Sequence, residues 1–565
     1  MKRLITSLCI FLIAINFVYG QTWQLVYKNK GVGTKDTVLA QLGVGRSVLV
    51  ADVNKDSVKE IYTTAYTGHK VIQFTVVGND SVELTYIFPD QPSAFPSEPR
   101  DVEVGDLDGD GKLEIIYPVG RTKADFTNHV NQRGYQVWEW NPSTNSFNGP
   151  YVIIPDTNMA RFRPENFIVD DVDGDGKQEL VHFEFAFNGT DDGVYIISVE
   201  GEFESGFATV NVEGVFKTGR FAVIGGVERN MAVCSGTVAD VDGDGKKEIW
   251  FMGNNLVGNE TPVWFIKTAG PNAYKADTNK VVVLQSANSY PLKAIAKGDF
   301  DNNGKDEVYF QFFRNVDKRT NESIPNKIYV IGNLDNVDNF DSTKINVIFS
   351  DTTDRMLYLF NLQNIGNRYL LLGGYYVVYE AEYRGGSPLD ANSWVVNKII
   401  DYDPVDSSKG AGWSGGIWRT SATNDLDGDG KPEIILFLQG ITDSLNKYSE
   451  NKVLRIYEKT VTGVKEWTVI TPDDYELYQN YPNPFNPATN ISFYLPVDRK
   501  ISLIIYDVSG REVIRLIDDQ EFPKGKHTVT WDGRDKYGKP VASGTYFYKL
   551  KFGSFEKTRK MMLVK

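Results

Sequence analysis

Six short segments share an ordered set of oxygen-bearing side chains. Each has Asp or Asn at positions 1, 3 and 5 and Glu at position 9, and five of the six have Gly at position 6. These oxygens, with the backbone carbonyl of position 7, can surround one hard cation with the six to eight oxygen ligands that Ca²⁺ prefers. Glycine at position 6 permits the sharp turn that such a loop needs.

We therefore predict up to six structural calcium sites, numbered by the repeat unit to which each loop belongs. The predicted ligands are Asp52, Asn54, Asp56, Val58 and Glu60 in loop 1; Asp106, Asp108, Asp110, Lys112 and Glu114 in loop 2; Asp171, Asp173, Asp175, Lys177 and Glu179 in loop 3; Asp240, Asp242, Asp244, Lys246 and Glu248 in loop 4; Asp299, Asp301, Asn303, Lys305 and Glu307 in loop 5; and Asp425, Asp427, Asp429, Lys431 and Glu433 in loop 7.

The residues that follow each loop distinguish it from helical calcium motifs. An EF-hand needs glutamate at position 12, where three of these loops have Tyr117, Phe251 and Phe310. β-Branched and aromatic runs, such as Ile249-Trp250-Phe251, follow the loops and indicate buried strands rather than helices. Each loop is therefore predicted to join two strands. We expect its ion to stabilise those strands, the alternative being a surface ion that bridges to a partner's carboxylate.

The loops are parts of a longer repeat. They begin at 52, 106, 171, 240, 299 and 425, so the last gap is twice the others. A hidden unit near Asn361-Leu-Gln363-Asn-Ile365-Gly366 fills that gap without the carboxylates, so it is expected to bind no metal. Seven units of about 60 residues suit four short strands per unit and a closed ring of blades.

This pattern resembles the FG-GAP/VCBS repeat family, whose units form propeller blades as in the integrin α-subunit head. The resemblance covers about residues 44–470 and implies an all-β, seven-bladed β-propeller with calcium-binding loops, to which we assign residues 21–470. The segment 21–41, with Trp23 to Tyr27, is expected to supply a strand that latches the last blade to the first. Ser57 replaces glycine in loop 1, so that site is expected to be weaker.

The two ends have other compositions. Residues 1–20 combine Lys2-Arg3 with an apolar run that ends at Val18 and Gly20, as in a secretory signal peptide. Residues 471–565 contain short strands with turn signals and predict a small Ig-like β-sandwich. Their motifs Tyr481-Pro-Asn-Pro-Phe-Asn-Pro487, Tyr506-Asp-Val-Ser-Gly-Arg-Glu-Val513 and Ser543-Gly-Thr-Tyr546 resemble the type A C-terminal sorting domain of type IX secretion substrates. That resemblance implies the type IX machinery as a partner and a secreted or cell-surface location.

Composition excludes several function classes. A formal charge of −14 and a pI near 5.0 argue against nucleic-acid binding, which needs basic patches. Two cysteines exclude a disulfide framework, and with cleavage after Gly20 only Cys234 remains. No segment of the mature chain is apolar enough for a transmembrane anchor.

Two function classes stay open. His69, His129 and His182 are scattered through separate units, and no catalytic motif accompanies them. The preferred prediction is a non-enzymatic adhesion or ligand-binding module for an extracellular glycan or protein, and the alternative is a secreted polysaccharide lyase or hydrolase on the same scaffold. Trp413, Trp418 and Arg419, in a glycine-rich stretch before loop 7, are the candidate ligand surface, with packing between blades as the alternative role.

Overall fold

The architecture below comes from a computed structural model of the 565-residue chain. It describes residues 22–28, 45–65, 70–78, 81–88, 99–119, 134–155, 162, 164–185, 193–206, 208–217, 222–224, 227–229, 231–255, 260–277, 280–285, 294–311, 326–351, 361–373, 377–401, 417–423, 425–439, 454–460, 468–470, 474–553 and 555–565. The predicted signal peptide, residues 1–20, lies outside these ranges.

Seven antiparallel sheets of similar plan follow one another along the chain, and in most of them consecutive strands pair in chain order. The first strand in the described ranges is β1 (Thr22–Lys28). Sheets 1 to 3 contain β2 (Gly45–Ala51), β3 (Glu60–Ala65), β4 (Lys70–Val76) and β5 (Ser81–Phe88); β6 (Glu103–Gly105), β7 (Glu114–Val119), β8 (Gly134–Asn141) and β9 (Ser146–Ile153); and β10 (Pro164–Asp170), β11 (Glu179–Glu184), β12 (Gly193–Glu200) and β13 (Thr209–Lys217).

The small hairpin of β14 (Ala222–Ile224) and β15 (Val227–Arg229) precedes sheet 4. Sheets 4 to 7 contain β16 (Met231–Ala239), β17 (Glu248–Asn255), β18 (Glu260–Gly270), β19 (Ala273–Ala276) and β20 (Val282–Gln285); β21 (Ile295–Gly298), β22 (Glu307–Gln311), β23 (Asn326–Ile331) and β24 (Ile345–Asp351); β25 (Asn361–Ile365), β26 (Tyr369–Gly373), β27 (Val377–Tyr383) and β28 (Trp394–Asp401); and β29 (Ile417–Thr423), β30 (Glu433–Gln439) and β31 (Leu454–Thr460).

Sheet 7 is completed by the beginning of the chain. The strand β1 pairs antiparallel with β31, with Trp23 opposite Lys459, and so forms the outer strand of a sheet whose other three strands come from residues 417–460. This is the latch that was predicted for the N-terminal segment. One sheet therefore joins the two ends of the repeat region.

The first strands of the sheets follow one another around a ring. β6 contacts β10, and the contacts continue through β16, β21, β25 and β29 to β2. Between sheets 1 and 2, the Ser47 hydroxyl donates to Asp101 Oδ1 at 2.8 Å. This order of sheets is the arrangement of a β-propeller, and the all-β class is confirmed.

The apolar core is divided among the spaces between neighbouring sheets. Seven clusters of buried side chains each combine residues of two adjacent sheets, from sheets 1 and 2 round to sheets 7 and 1. Second strands such as β7 and β26 are buried at every residue because both faces of each sheet are covered. That double burial explains their continuous apolar runs, which a sheet with one solvated face would not need.

The C-terminal unit is a sandwich of two sheets. Its strands are β33 (Glu476–Leu477), β34 (Thr489–Leu495) and β37 (Gly525–Trp531) in one sheet, and β36 (Glu512–Phe522), β35 (Arg499–Asp507), β38 (Gly544–Phe552) and β39 (Phe555–Leu563) in the other. Their inward residues, including the fully buried Trp531 and Tyr548, form one core. The strand order and shared core are consistent with the predicted Ig-like sandwich.

The C-terminal unit packs against sheet 1. The connecting strand β32 (Thr468–Ile470) pairs in parallel with β5 and extends that sheet to five strands. The buried carboxylate of Glu83 on β5 accepts a hydrogen bond from the Tyr475 hydroxyl and lies 2.7 Å from Arg499 Nη1. The hydrogen bond and the ion pair of this buried carboxylate therefore both come from residues that follow residue 470.

Helical turns in the described ranges are short: Val337–Asn339, Ser342–Lys344 and Ala391–Ser393 are single 3₁₀ turns. Each is preceded by an Asn or Asp whose side chain accepts a backbone N–H of the turn. A search of the described residues for a helix with the length and hydropathy of a membrane span finds none.

Candidate metal centres

Each of the six predicted loops connects the first and second strands of its sheet. Loop 2, for example, leaves β6 after Gly105 and enters β7 at Glu114. Loops of neighbouring sheets are in contact, as Gln178 of loop 3 is with Asp106 of loop 2 and Lys247 of loop 4 is with Asp171 of loop 3, so these connections lie on one face of the ring. The spacing seen in the sequence therefore brings six acidic loops to a common face.

The backbone of every loop is folded in the same way around its own side chains. In loop 2, the Gly111 N–H donates to Asp106 Oδ2 at 3.0 Å and the Lys112 N–H donates to Asp110 Oδ1 at 2.8 Å. The equivalent bonds, from position 6 to position 1 and from position 7 to position 5, recur in the other five loops. They hold the oxygens of positions 1 and 5 towards the inside of the loop.

Two positions of the loop require the left-handed backbone conformation. Position 6 has φ between 71° and 91° in all six loops, and position 4 also has positive φ in all six. Glycine accepts this conformation without strain, whereas a residue with a Cβ costs about 1–2 kcal/mol there. Loop 1 places Lys55 and Ser57 at these positions, so it adopts the fold of the other loops at a conformational cost.

The glutamate at position 9 closes the loop from inside. Its Oε2 accepts the backbone N–H of position 2, as in the 2.8 Å bond from Leu107 to Glu114, and this bond recurs in the other five loops. The other oxygen, Oε1, is buried without a hydrogen-bond partner in Glu114, Glu307 and Glu433. A buried carboxylate oxygen without a partner is costly, and a bound cation would satisfy it.

Two aspartates of the loops have the same deficit. Asp106 Oδ1 and Asp301 Oδ1 are also buried without a partner. In loop 2 the orphaned oxygens thus belong to positions 1 and 9, at the two ends of the nine-residue segment. The donor set consists of carboxylate, amide and carbonyl oxygens alone, which suits a hard divalent cation. The residues of these loops therefore fit the predicted calcium ion.

Burial makes the position-9 carboxyls poor acids. Loss of hydration raises the pKa of Glu60, Glu179, Glu248 and Glu307 to about 8, and the charges of nearby aspartates raise it further. The pKa of the equivalent glutamates in loops 2 and 7 is raised to about 9 for the same reason. A divalent cation would supply the opposite charge that this surrounding lacks.

The six loops are not equally compact. Carboxylate oxygens converge within 4.8 Å of one another in four of them: Asp106, Asp108, Asp110 and Glu114; Asp171, Asp173 and Glu179; Asp240, Asp242 and Asp244; and Asp425, Asp427 and Asp429. Among the described residues, loops 1 and 5 form no such group of carboxylates. Each of them has an asparagine at one of positions 3 and 5.

Loop 1 shows why an asparagine matters. The amide oxygen of Asn54 accepts the Asp56 N–H, so its Nδ2 turns inward and donates to Asp56 Oδ2 at 3.0 Å and to Glu60 Oε1 at 3.4 Å. The position-9 oxygen that is orphaned in loop 2 thus has an internal donor in loop 1. The expected weakness of this site, which rested on Ser57, gains a second physical cause.

Loops 2 and 7 contain an acidic residue that the nine-residue pattern does not include. Glu139 on β8 and Glu458 on β31 lie opposite the position-9 glutamates across the sheet and are fully buried. Lys112 Nζ lies 2.9 Å from Glu139, and Lys431 Nζ lies 2.6 Å from Glu458. The position-7 lysines, predicted to offer only a backbone carbonyl, thus also neutralise a buried third-strand carboxylate.

The sixth unit replaces the acidic loop by a tight turn. Gly366 and Asn367, both with positive φ, connect β25 directly to β26. Tyr369 begins β26, where the other units have their position-9 glutamate. The ammonium of Lys459, from sheet 7, lies 3.7 Å from the centroid of the Tyr369 ring and 2.8 Å from Glu380 Oε2. A side-chain cation from the neighbouring sheet therefore occupies this part of unit 6.

Polar residues also cluster where the first strands begin. Asp101 accepts from Ser47 of sheet 1 and from Asn166 of sheet 3, and Arg100 Nη1 lies 2.5 Å from Glu165 Oε1. All five side chains are buried. They are committed to one another across three sheets, so they form part of the contacts that hold the ring together.

Of the three histidines scattered through separate units, the structure describes one. His69 and His129 lie outside the described residues. His182 is completely buried, with Tyr135 Oη 2.7 Å from Nδ1 and Glu184 Oε2 3.0 Å from Nε2. Burial lowers the pKa of His182 to about 3. Both ring nitrogens are already engaged, which fits a packing role.

The predicted ligand surface is only partly described. Trp413 lies outside the described residues. Trp418 and Arg419 belong to β29, where their backbones pair with Leu438 and Phe437. These positions put both residues on the first strand of sheet 7. Their role in ligand binding stays a prediction.

Comparison with known proteins identifies the C-terminal unit. Residues 483–553 match the family model of the FlgD Ig-like domain, and no curated protein sequence matches the chain. The Porphyromonas gingivalis protein PorZ, described as an essential bacterial surface component of the type IX secretion system, is 11% identical over 92% of this chain and 66% of that chain, with a TM-score of 0.29.

Two further solved structures are similarly distant. The Dos1 propeller is 10% identical over 79% of this chain and 98% of that chain, with a TM-score of 0.40. A family 43 arabinoxylan arabinofuranohydrolase from Bacillus subtilis is 10% identical over 82% of this chain and 93% of that chain, with a TM-score of 0.27. TM-scores this low carry no argument about the fold, so the ring is assigned from the strand pairing and sheet contacts of this chain. The family match shows that residues 483–553 are similar to FlgD Ig-like domains.

The left-handed backbone of loop 1 generates a stability prediction. Ser57→Gly should raise the free energy of unfolding by about 1 kcal/mol, because Ser57 has φ 71° and glycine removes that strain. The matched reverse change, Gly245→Ser in loop 4, should lower it by a similar amount, since a Cβ there meets no atom within 4 Å and only the backbone is affected. Denaturant unfolding with a chelator present measures both. A destabilised Ser57→Gly protein would contradict the account.

Proposed function

We propose that this protein is a secreted, calcium-stabilised, seven-bladed propeller of the FG-GAP/VCBS type that serves as an adhesion or ligand-binding module. One observation supports the calcium sites above all. Six loops share one hydrogen-bonded fold, and inside them buried position-9 oxygens such as Glu114 Oε1 have no partner. A bound calcium ion would be coordinated by those oxygens and would offset the clustered negative charge.

Calcium suits the loops better than magnesium. The loops offer several protein oxygens each from a short, curved segment, whereas Mg²⁺ retains several waters and demands strict octahedral geometry. Extracellular calcium modules typically have Kd values of about 10⁻⁴ to 10⁻³ M. An exported protein meets such concentrations, so the sites would fill after export.

The described polar groups favour binding over catalysis. Arg100, Glu165 and His182, the kinds of side chain that a polysaccharide-cleaving site would use, are buried and bonded to neighbours rather than directed at a cleft. We therefore propose Trp413, Trp418 and Arg419 as the ligand surface, with aromatic faces for sugars and the guanidinium for an acidic group.

We further propose that residues 471–565 direct export through the type IX machinery, after residues 1–20 direct export across the inner membrane. Support comes from the three sorting-domain motifs and from the match of residues 483–553 to an Ig-like family. The motif Tyr481–Pro487 is ordered at the edge of the sandwich, where Phe485 exchanges backbone hydrogen bonds with Met562 and Val564. The motif thus joins the start and the end of the unit.

The calcium proposal predicts a ligand-dependent melting temperature. At a calcium concentration of a hundred times Kd, each occupied site adds about 2.7 kcal/mol to the free energy of unfolding, so excess chelator should lower the melting temperature clearly. Scanning calorimetry with calcium, with magnesium and with chelator measures this. The variant Asp171→Asn/Asp175→Asn should bind one ion fewer. Equal melting curves in calcium and chelator would refute the proposal.

The ligand surface predicts a separable loss of binding. The Trp413→Ala/Trp418→Ala protein should lose binding on a glycan and extracellular-matrix array, while its calcium-loaded melting temperature stays near that of the unmutated protein. Arg419→Lys, which keeps the charge, is the control for acidic ligands. A large fall in melting temperature would instead assign the tryptophans to packing between blades.

The export proposal predicts retention after truncation. A chain ending at residue 470 should accumulate in the periplasm of a bacterium with a type IX system, as the full chain should in a strain without that system. The truncated chain should also carry the substitution Glu83→Gln. Truncation removes Tyr475 and Arg499, and without these partners the buried Glu83 carboxylate would destabilise sheet 1. Immunoblots of periplasm, cell surface and medium measure the distribution. Surface delivery of the truncated protein would disprove the role.

A further inference from the structure

In four loops, the residue at position 8 contacts the preceding loop around the ring. This residue is not one of the predicted cation ligands. Gln178 of loop 3 accepts the backbone N–H of Asp106, the first residue of loop 2, with its Oε1 at 2.7 Å. Asp306 of loop 5 accepts the N–H of Asp240, the first residue of loop 4, at 3.1 Å. The Asp306 N–H also donates to the Asp240 carbonyl at 2.8 Å.

Two lysines make the equivalent contact as donors. Lys247 Nζ, at position 8 of loop 4, donates to the carbonyl of Asp171, the first residue of loop 3, at 2.9 Å. Lys59, at position 8 of loop 1, donates to the carbonyl of Asp425, the first residue of loop 7. Different side chains thus reach the same backbone segment, and the partner is always the position-1 residue of the loop before.

The close approach depends on a missing side chain in loop 2. Gly105 immediately precedes Asp106, and a Cβ on Gly105 would lie 2.2 Å from Val169 Cγ1 and 2.8 Å from Gln178 Oε1. Sheet 3 can reach the backbone of loop 2 because that Cβ is absent. Gly298, before loop 5, is crowded in the same way by Asn364 of sheet 6.

A second contact fixes position 3 of the same loops from the same side. The outer oxygen Oδ2 of Asp108 accepts the N–H of Phe203, that of Asp173 accepts the N–H of Asn272, and that of Asp242 accepts the N–H of Val337, at 2.6–2.8 Å. Each donor belongs to the outer turn of the next sheet. Loops 2, 3 and 4 therefore have their first two ligand positions held by the following sheet.

We infer that the position-8 residues Lys59, Gln178, Lys247 and Asp306 are positioning residues for the cation of the preceding loop, so that the calcium affinity of one loop is set partly by the next sheet. The inference rests on the proposed calcium loops. Its physical basis is preorganisation: a position-1 peptide already held in place loses less freedom when its carboxylate binds the ion.

Gln178 gives the sharpest test because it belongs to loop 3 and is expected to act on loop 2. Calcium titration calorimetry of the full chain should show one site weakened about tenfold in Gln178→Leu, in line with the loss of one partly buried hydrogen bond. Gln178→Glu should restore an affinity close to that of the unmutated protein, because it keeps an acceptor oxygen, as Asp306 does in loop 5.

Two backgrounds identify the affected site. With loop 2 disabled by Asp108→Asn/Asp110→Asn, Gln178→Leu should leave the remaining affinities unchanged. With loop 3 disabled by Asp171→Asn/Asp175→Asn, the tenfold loss should persist. The opposite result, with the loss tied to loop 3, would overturn the inference, as would equal affinities in Gln178→Leu and the unmutated protein.

A second variant covers the case in which Gln178→Leu fails to fold. Lys247→Met should weaken the site of loop 3 and leave that of loop 4 unchanged, and an effect confined to loop 4 would overturn the inference. Failure of the unmutated protein to bind calcium would refute the proposed calcium loops and this coupling together. If the unmutated protein binds calcium and the position-8 variants bind it with the same affinity, only the coupling between loops is refuted.

Discussion

The clustering of buried carboxylates on one face of the ring is the constraint on which the rest of the structure depends. Six position-9 glutamates are nearly inaccessible to water and surrounded by aspartates of their own loops. Backbone N–H groups donate to the glutamates, and Lys112 and Lys431 pair with the loop aspartates Asp110 and Asp429, which offsets part of this charge. In the six acidic loops, protons or the proposed cations would offset the remainder where the first two strands are joined.

This face also connects the sheets to one another. The apolar cores lie between neighbouring sheets, and the loops add polar contacts across the same interfaces, such as Lys247 to Asp171. A loop that loses its shape therefore affects two cores. In unit 6, the Lys459 side chain instead connects sheets 6 and 7 through Tyr369 and Glu380. Unit 6 thus has a side-chain cation of the protein where the other units have the loops for which calcium is proposed.

Local spacing predicted the parts that a few consecutive residues specify. The nine-residue pattern located the loops, the doubled gap located the unit at Asn361–Ile365, and the N-terminal segment was correctly expected to latch the last sheet. Contacts between distant segments were not predictable in this way. Gln178 and Lys247 lie between two predicted ligand positions, and the nine-residue pattern assigns them no role. Lys459 belongs to sheet 7, so the sequence of unit 6 does not reveal its contact there.

Glu139 is an intermediate case. Trp138 and Trp140 alternate with Glu139 along β8, and both tryptophans pack against the same core. The same alternation turns Glu139 to the other face of the strand, so its burial could be predicted from the sequence. Its pairing with Lys112 could not, because that contact depends on how β8 packs beside loop 2. Because β1 completes sheet 7, the ring cannot close until residues near 460 have been synthesised. The β1–β31 pairing therefore joins the first described strand to be synthesised with one of the last strands of the ring, so this closure can form only late in biosynthesis.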